Sequence, residues 1–178
     1  MIKMIYRNVR IKKRKIKSLI LKEEYGEVIM SAPYYARDEE IKKFIDDNIS
    51  WIEEHYNPNK EIRLWGEIYE GKININRLYR MEIEKETCKI LDECVELVGC
   101  GPSEIKYRKM KNWGNCKKNG VITLNTKLAS KNKEALKMVL IHELCHLIEF
   151  NHTKKFWKLM DEFCPNHREI RVKLNSGL

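Results

Sequence analysis

The chain has 178 residues, 43% of them hydrophobic, and 35 Lys and Arg against 26 Asp and Glu give it a formal net charge of +9. That length suits one domain, or a core domain with a small appendage, and is enough to bury a sizeable core. No apolar run approaches the ~18 residues that span a bilayer, the N-terminus lacks the apolar stretch of a secretory signal, and six cysteines without a CxxC pair fit free thiols better than disulfides. A cytoplasmic protein without membrane contact is therefore expected.

In chain order, residues 5–31 carry β-branched and alternating segments (Val9, Ile11, Leu19-Ile20-Leu21, Val28-Ile29-Met30), broken at Tyr25-Gly26 and ended at Ala32-Pro33. Two or three antiparallel strands are predicted there. Asp38-Glu39-Glu40 reads as a helix start, and Ile41, Phe44, Ile45, Ile49 and Ile52 continue at helical spacing until Asn57-Pro58. Residues 60–80, with Gly66 and Gly71, fit short strands or a linker. The predicted organisation is an N-terminal β-rich layer over 1–80, part of one unit or a small subdomain, followed by a catalytic core over 81–178. The fold class is α+β, with antiparallel strands beside an active-site helix.

Within the core a helix is predicted over 82–98, stopped by Gly99-Cys100-Gly101-Pro102, and a strand over 104–110. Asn119-Gly120 is a strong hairpin signal before the alternating Val121–Asn125. A helix from about Ser130 to Glu149 follows, then one over 153–163 with Phe156, Trp157, Met160 and Phe163 on its apolar side. Cys164-Pro165 stops it, and Asn166, with Glu169 three residues on, is placed to cap a last short helix.

The chemistry is concentrated in Ile141-His142-Glu143-Leu144-Cys145-His146. Imidazoles four residues apart share a helix face and can reach one metal ion, and the intervening Glu can act on a water that the metal acidifies. Met138–Ile141, Leu144 and Leu147-Ile148 make the helix apolar nearly all round, so it belongs in a core. A His-Glu-His set buried there is costly unless something satisfies it, and a divalent cation does so. Two core histidines with a paired Glu are the bland alternative.

Catalytic zinc usually takes three protein ligands and keeps one position open. His152 and Glu149 compete for the third place, with His167 further off. At about 1.5 Å per residue, 142 and 149 stand roughly 10 Å apart along one helix, whereas a turn at Asn151 could swing His152 back, which favours His152. Glu149 could instead steady a ligand imidazole. Cys116 is a weaker ligand candidate, and His55 is read as a surface residue. Glu143 is the expected general base. Basic clusters at Arg7–Lys17 and Lys106–Lys118 could attract nucleic acid or nucleotides, or be solvated strand faces.

The chain resembles the YgjP-like metallopeptidase domain proteins, relatives of the SprT-like zincins. The resemblance rests on His142-Glu143-Leu144-Cys145-His146-Leu147, Asn151-His152-Thr153-Lys154-Lys155-Phe156-Trp157, and Trp113-Gly114-Asn115-Cys116 with Ile122–Asn125; weaker matches run from Ala32-Pro33 to Trp51-Ile52. Asn112 and Asn115 depart from the basic residue and Ser usual around the Trp-Gly pair. The resemblance implies a zincin-like α+β core, one zinc ion (Zn2+) per chain on His142, His146 and His152, and Glu143 as catalytic acid/base. It also implies an extended peptide pairing with a strand at the cleft, for which Val121–Asn125 is the candidate. A metzincin shares the histidine spacing but has Gly where Glu149 stands.

The leading function is therefore a zinc-dependent hydrolase of peptide or protein substrates. Tyr107, Arg108 and His167 are candidates to steady the oxyanion. A metal-dependent nucleoside triphosphate pyrophosphohydrolase is an alternative, although no GxxxxGK loop supports it. A zinc-containing module associated with nucleic acid is the other, and it leaves Glu143 without a purpose.

Overall fold

Strand position in the first half of the chain follows hydrophobicity. Glu27–Pro33 is apolar on both faces and takes a central place, while the more polar Ile20–Glu24 takes an edge. The computed structural model describes residues 4–57, 59–70 and 74–176. Its contacts divide the chain into two units, Met1–Glu61 and Ile62–Leu178, with the division inside the 60–80 stretch that sequence left ambiguous.

The N-terminal unit holds β1 (Met4–Tyr6), β2 (Val9–Arg14), β3 (Ile20–Glu24) and β4 (Glu27–Pro33) in the order β1-β2-β4-β3. β1 and β2 run antiparallel, as do β3 and β4, but β2 and β4 are parallel, pairing Val9 with Val28 through Arg14 with Pro33. The expectation of two or three antiparallel strands is corrected to four strands in a mixed sheet. The chain reverses between β2 and β3 and again between β3 and β4, so β2 and β4 point the same way, and β4 pairs with both β2 and β3. The single helix expected after Asp38 is two: α1 (Asp38–Asp47) and α2 (Ile49–His55). They part at Asn48, whose amide donates to the Phe44 carbonyl at 2.8 Å. Ile41, Ile45 and Ile52 close a core with Val9, Ile11, Val28 and Met30. His55 stacks on Trp51, ring centroids 4.1 Å apart.

The C-terminal unit opens with the hairpin β5 (Arg63–Leu64) and β6 (Glu67–Ile68), turned at Trp65 and Gly66 with φ of +52° and +88°. The long helix α3 (Ile75–Val98) starts seven residues before the predicted 82, capped by Asn74, whose side chain accepts from the Arg77 amide at 3.2 Å. It ends at Gly99 in the left-handed region. Then come β7 (Glu104–Arg108), β8 (Gly114–Cys116) and β9 (Val121–Asn125), ordered β7-β9-β8, with β7 parallel and β8 antiparallel to β9. Asn119-Gly120 does turn a hairpin, from the short β8 that sequence missed. Consequently Val121–Asn125, the candidate strand for pairing with a peptide, is the central strand of its sheet, and the edge beside the cleft is β8.

A 3-10 turn (Thr126–Ser130) leads into α4 (Lys133–Ile148), capped by Asn132, followed by α5 (Lys154–Phe163) and α6 (His167–Asn175). Asn166 does not cap α6 with its side chain; it accepts instead from the Cys164 thiol. The class is α+β as expected, with two mixed sheets beside the antiparallel β5–β6 hairpin. All six cysteines are free, and no helix among the described residues is long and apolar enough to cross a membrane.

Candidate metal centre

The apolar girth of α4 is explained by burial on nearly every side. Leu136, Leu140, Ile141 and Leu144 are fully buried, and one strip, with Met138, Val139, His142, Glu143 and His146, lines a cleft of about 770 Å3. His142 and His146 meet as the i, i+4 spacing requires, ring centroids 4.9 Å apart. α4 ends at Ile148, Glu149 is extended, and the Thr153 amide donates to the Asn151 carbonyl at 2.7 Å. That reversal brings His152 back over the helix just before Thr153 caps α5.

His152 Nε2 lies 3.1 Å from His142 Nε2, and one ligand atom from each of His142, His146 and His152 falls within 4.8 Å of the others. Among the described residues this is the one group of three or more potential ligands so placed. Nitrogens sharing one tetrahedral zinc at bonds of about 2.0–2.1 Å stand roughly 3.3 Å apart, so the donor type and the closest spacing suit that ion. Glu149 reaches the group differently from expectation: its backbone carbonyl, 3.3 Å from His146 Nδ1, is the polar partner there. A proton on Nδ1 leaves Nε2 free to ligate. Burial, then the neighbouring His146, His152 and Arg171, drives the His142 pKa down to about 3, so this imidazole is neutral at any ordinary pH. Burial also lowers that of His146.

Phe156 sets the three rings. Fully buried, it has its centroid 4.9 Å from His142, 4.5 Å from His146 and 4.7 Å from His152. Trp157 stacks on His152 at 5.5 Å and on His167 at 5.8 Å. The i, i+1 pair Phe156-Trp157 was legible only as part of an apolar face; its work as a wall behind imidazoles depends on the turn at 149–152.

Glu143 points its carboxyl at β8. The residue is 4% exposed, its Oε2 has no hydrogen-bond partner among the described residues, and burial raises its pKa to about 8. Gly114 makes the room: a Cβ there would overlap Glu143 Oε1 and come within 2.8 Å of its Cδ and Cγ. Behind the cleft wall, buried Asn125 pins the loop before β8, its amide donating to the carbonyls of Met110 at 2.8 Å and Asn112 at 2.9 Å. Trp113 Nε1 donates to Asn175 of α6 at 3.1 Å. Neither tie had a signature in the sequence.

The remaining candidates lie elsewhere. Cys116 is buried, its thiol pushed up to about 11 first by burial and then by Glu143, and it stands outside the imidazole group. Tyr107 and Arg108 lie on β7 and do not line the cleft. His167 is buried behind Trp157, with Nε2 3.0 Å from Asp161 Oδ1. The cations that do line the cleft are Lys111 and Arg171.

A family model described as YgjP-like, metallopeptidase domain, matches residues 66–177. No curated protein matches the chain significantly. Among solved structures, the metallopeptidase zymogen abylysin of Pyrococcus abyssi is similar at 24% identity and a TM-score of 0.47, over 54% of this chain and 94% of that one. Jannalysin of Methanocaldococcus jannaschii, also a metallopeptidase zymogen, is similar at 22% identity and a TM-score of 0.45, over 63% and 96%.

Proposed function

The chain belongs to the YgjP-like metallopeptidase domain family, and from that premise we propose that it hydrolyses peptide bonds with one zinc ion on His142, His146 and His152 and with Glu143 as general acid/base. The observation that carries this reading is the buried Glu143 carboxyl, its Oε2 without a hydrogen-bond partner among the described residues, at the same cleft as three clustered imidazoles. A structural site would need no such group.

Zinc held there would polarise the scissile carbonyl and acidify the attacking water. The chain's own contribution is placement and proton handling. Glu143 one residue after His142 points about 100° away from it, so it faces the cleft without competing as a ligand. Its carboxyl, at the cleft beside the three imidazoles, is placed to take a proton from water and return it to the leaving amine. β8, the edge of its sheet and part of the cleft wall, offers main-chain groups for an extended substrate, which the central β9 cannot.

The test pairs elemental analysis of the purified chain with incubation of wild type and Glu143→Gln against a peptide library and nucleoside triphosphates. The expected result is about one zinc per chain in both proteins and peptide cleavage in wild type alone. Pyrophosphate release without any peptide cleavage would overturn the peptidase reading.

A further inference from the structure

The cations of α6 do not behave alike. Arg168 is bonded to Asp161 at 3.1 Å and Lys173 to Glu169 at 2.7 Å, but Arg171 has no carboxylate partner among the described residues. Sequence explains why: the positions three and four away are Arg168, His167, Leu174 and Asn175, none of them acidic. Arg171 nevertheless has a fixed neighbour. Its Cζ lies 5.8 Å from the centre of the Trp157 ring, the same ring that stacks on His152. A guanidinium laid on an indole gives up less freedom on binding than a lysine on a loop, and its fork matches a carboxylate with two parallel hydrogen bonds. Apart from the histidines, the ionisable side chains lining the cleft are Lys111, Cys116, Arg171 and the buried Glu143, so its rim carries positive charge with no acidic counterpart.

We propose that Arg171 anchors a carboxylate of the peptide substrate, so that the cleft selects peptides bearing a free C-terminus or an acidic side chain close to the cleaved bond. The inference rests on the peptidase reading and names its substrate class. Laid end to end, the 5.8 Å from Arg171 to Trp157 and the 5.5 Å from Trp157 to His152 limit the separation of guanidinium and imidazole cluster. At about 3.3–3.6 Å per extended residue, the anchored carboxylate belongs within roughly three residues of the scissile bond. Lys111 lines the same cleft as a mobile point charge and is the competing anchor.

Binding separates this inference from the activity. Matched peptides would be titrated into zinc-loaded, full-length Glu143→Gln protein: one with a free C-terminus, its C-terminal amide, and amidated forms with Glu or Gln within three residues of the central bond. Carboxylate-bearing peptides are expected to bind about 10-fold tighter than their neutral partners. That ratio falls to about 1 when Arg171→Gln is added, is partly kept by Arg171→Lys, and persists with Lys111→Gln. The free C-terminus and the Glu peptide report separately which source of carboxylate is read. An unchanged ratio in Arg171→Gln, loss only in Lys111→Gln, or no binding of any peptide overturns the anchor. If carboxylate-selective binding depends on Arg171 but wild type cleaves none of these peptides, the peptidase reading fails and the anchor stands.

Discussion

The two units bury different chemistry. Of the eight buried polar or charged residues among those described, only Ser31 belongs to the N-terminal unit, whereas Glu86, Thr87, Thr123, Asn125, Thr126, Glu143 and His167 lie in the C-terminal one. The N-terminal unit keeps its charges outside and paired: Arg10 with Glu27 at 2.6 Å, Arg7 with Asp46 at 2.8 Å, Lys13 with Asp38 at 3.2 Å and Lys60 with Glu23 at 2.8 Å. Three cations of the Arg7–Lys17 cluster, Arg7, Arg10 and Lys13, are thus paired with carboxylates. A buried polar group costs stability unless bonded, and Asn125, His167 and Glu86 are bonded, whereas Glu143 Oε2 has no partner among the described residues. Glu143 is the extreme case.

The sharpest way to break this contrast is to remove that group. Glu143→Gln is expected to lower kcat/KM about 10²- to 10⁴-fold with unchanged zinc content and circular dichroism; retained activity would reduce Glu143 to an unexplained core carboxyl. Gly114→Ala follows, because the added methyl displaces the Glu143 carboxyl. A loss of about 10²-fold is expected in kcat and little in zinc content. Combined with Glu143→Asp, which withdraws the carboxyl by one methylene, it should cost less than the two single losses together. Independent effects would mean that the glycine acts through β8 alone.

Chelation tests the comparison directly. Hydrogen exchange should speed up in α4, α5 and the 149–152 turn when zinc is stripped, while the amides of β2 and β4 keep their rates, since a ligand stabilises only what it binds. Asn125→Ala leaves the carbonyls of Met110 and Asn112 without their donor, and a loss of about 1–3 kcal/mol in denaturant melts is expected.

The smallest effect belongs to Glu86, on α3. Burial alone would raise its carboxyl, but Lys89 at 3.1 Å and Lys133 at 3.2 Å outweigh that and hold it below the ordinary range. A carboxyl whose pKa is lower folded than unfolded stabilises above its unfolded pKa and loses that contribution as pH falls through the folded one. Both lysines are about half exposed, so Glu86→Gln should cost under about 1 kcal/mol at pH 7, and the difference from wild type should vanish on acidification.

Legibility differed in the same way between the units. Strands and helices of the N-terminal unit were recognisable from Val9, Ile11, Val28 and the Ile41–Ile52 spacing, but not the parallel pairing of β2 with β4, which depends on which strand is buried on both faces. In the C-terminal unit the Asn119-Gly120 turn, the capping of α5 by Thr153 and the meeting of His142 with His146 follow from local rules. β8 has three residues, too few to show a period, and it went unread. With it went the edge of the sheet beside the cleft.

Sequence by itself determined what depends on separations of a few residues: the α+β class, one face for His142 and His146, and a side chain at Glu143 turned about 100° from its neighbour His142. Tertiary structure alone decided what depends on distant segments meeting. The closing of Phe156 behind three imidazoles, the gap that Gly114 leaves for Glu143, and the placing of Arg171 over Trp157 each join elements whose approach is set by packing. Backbone periodicity fixes direction along one helix or strand, but which surfaces come together is a property of the whole core.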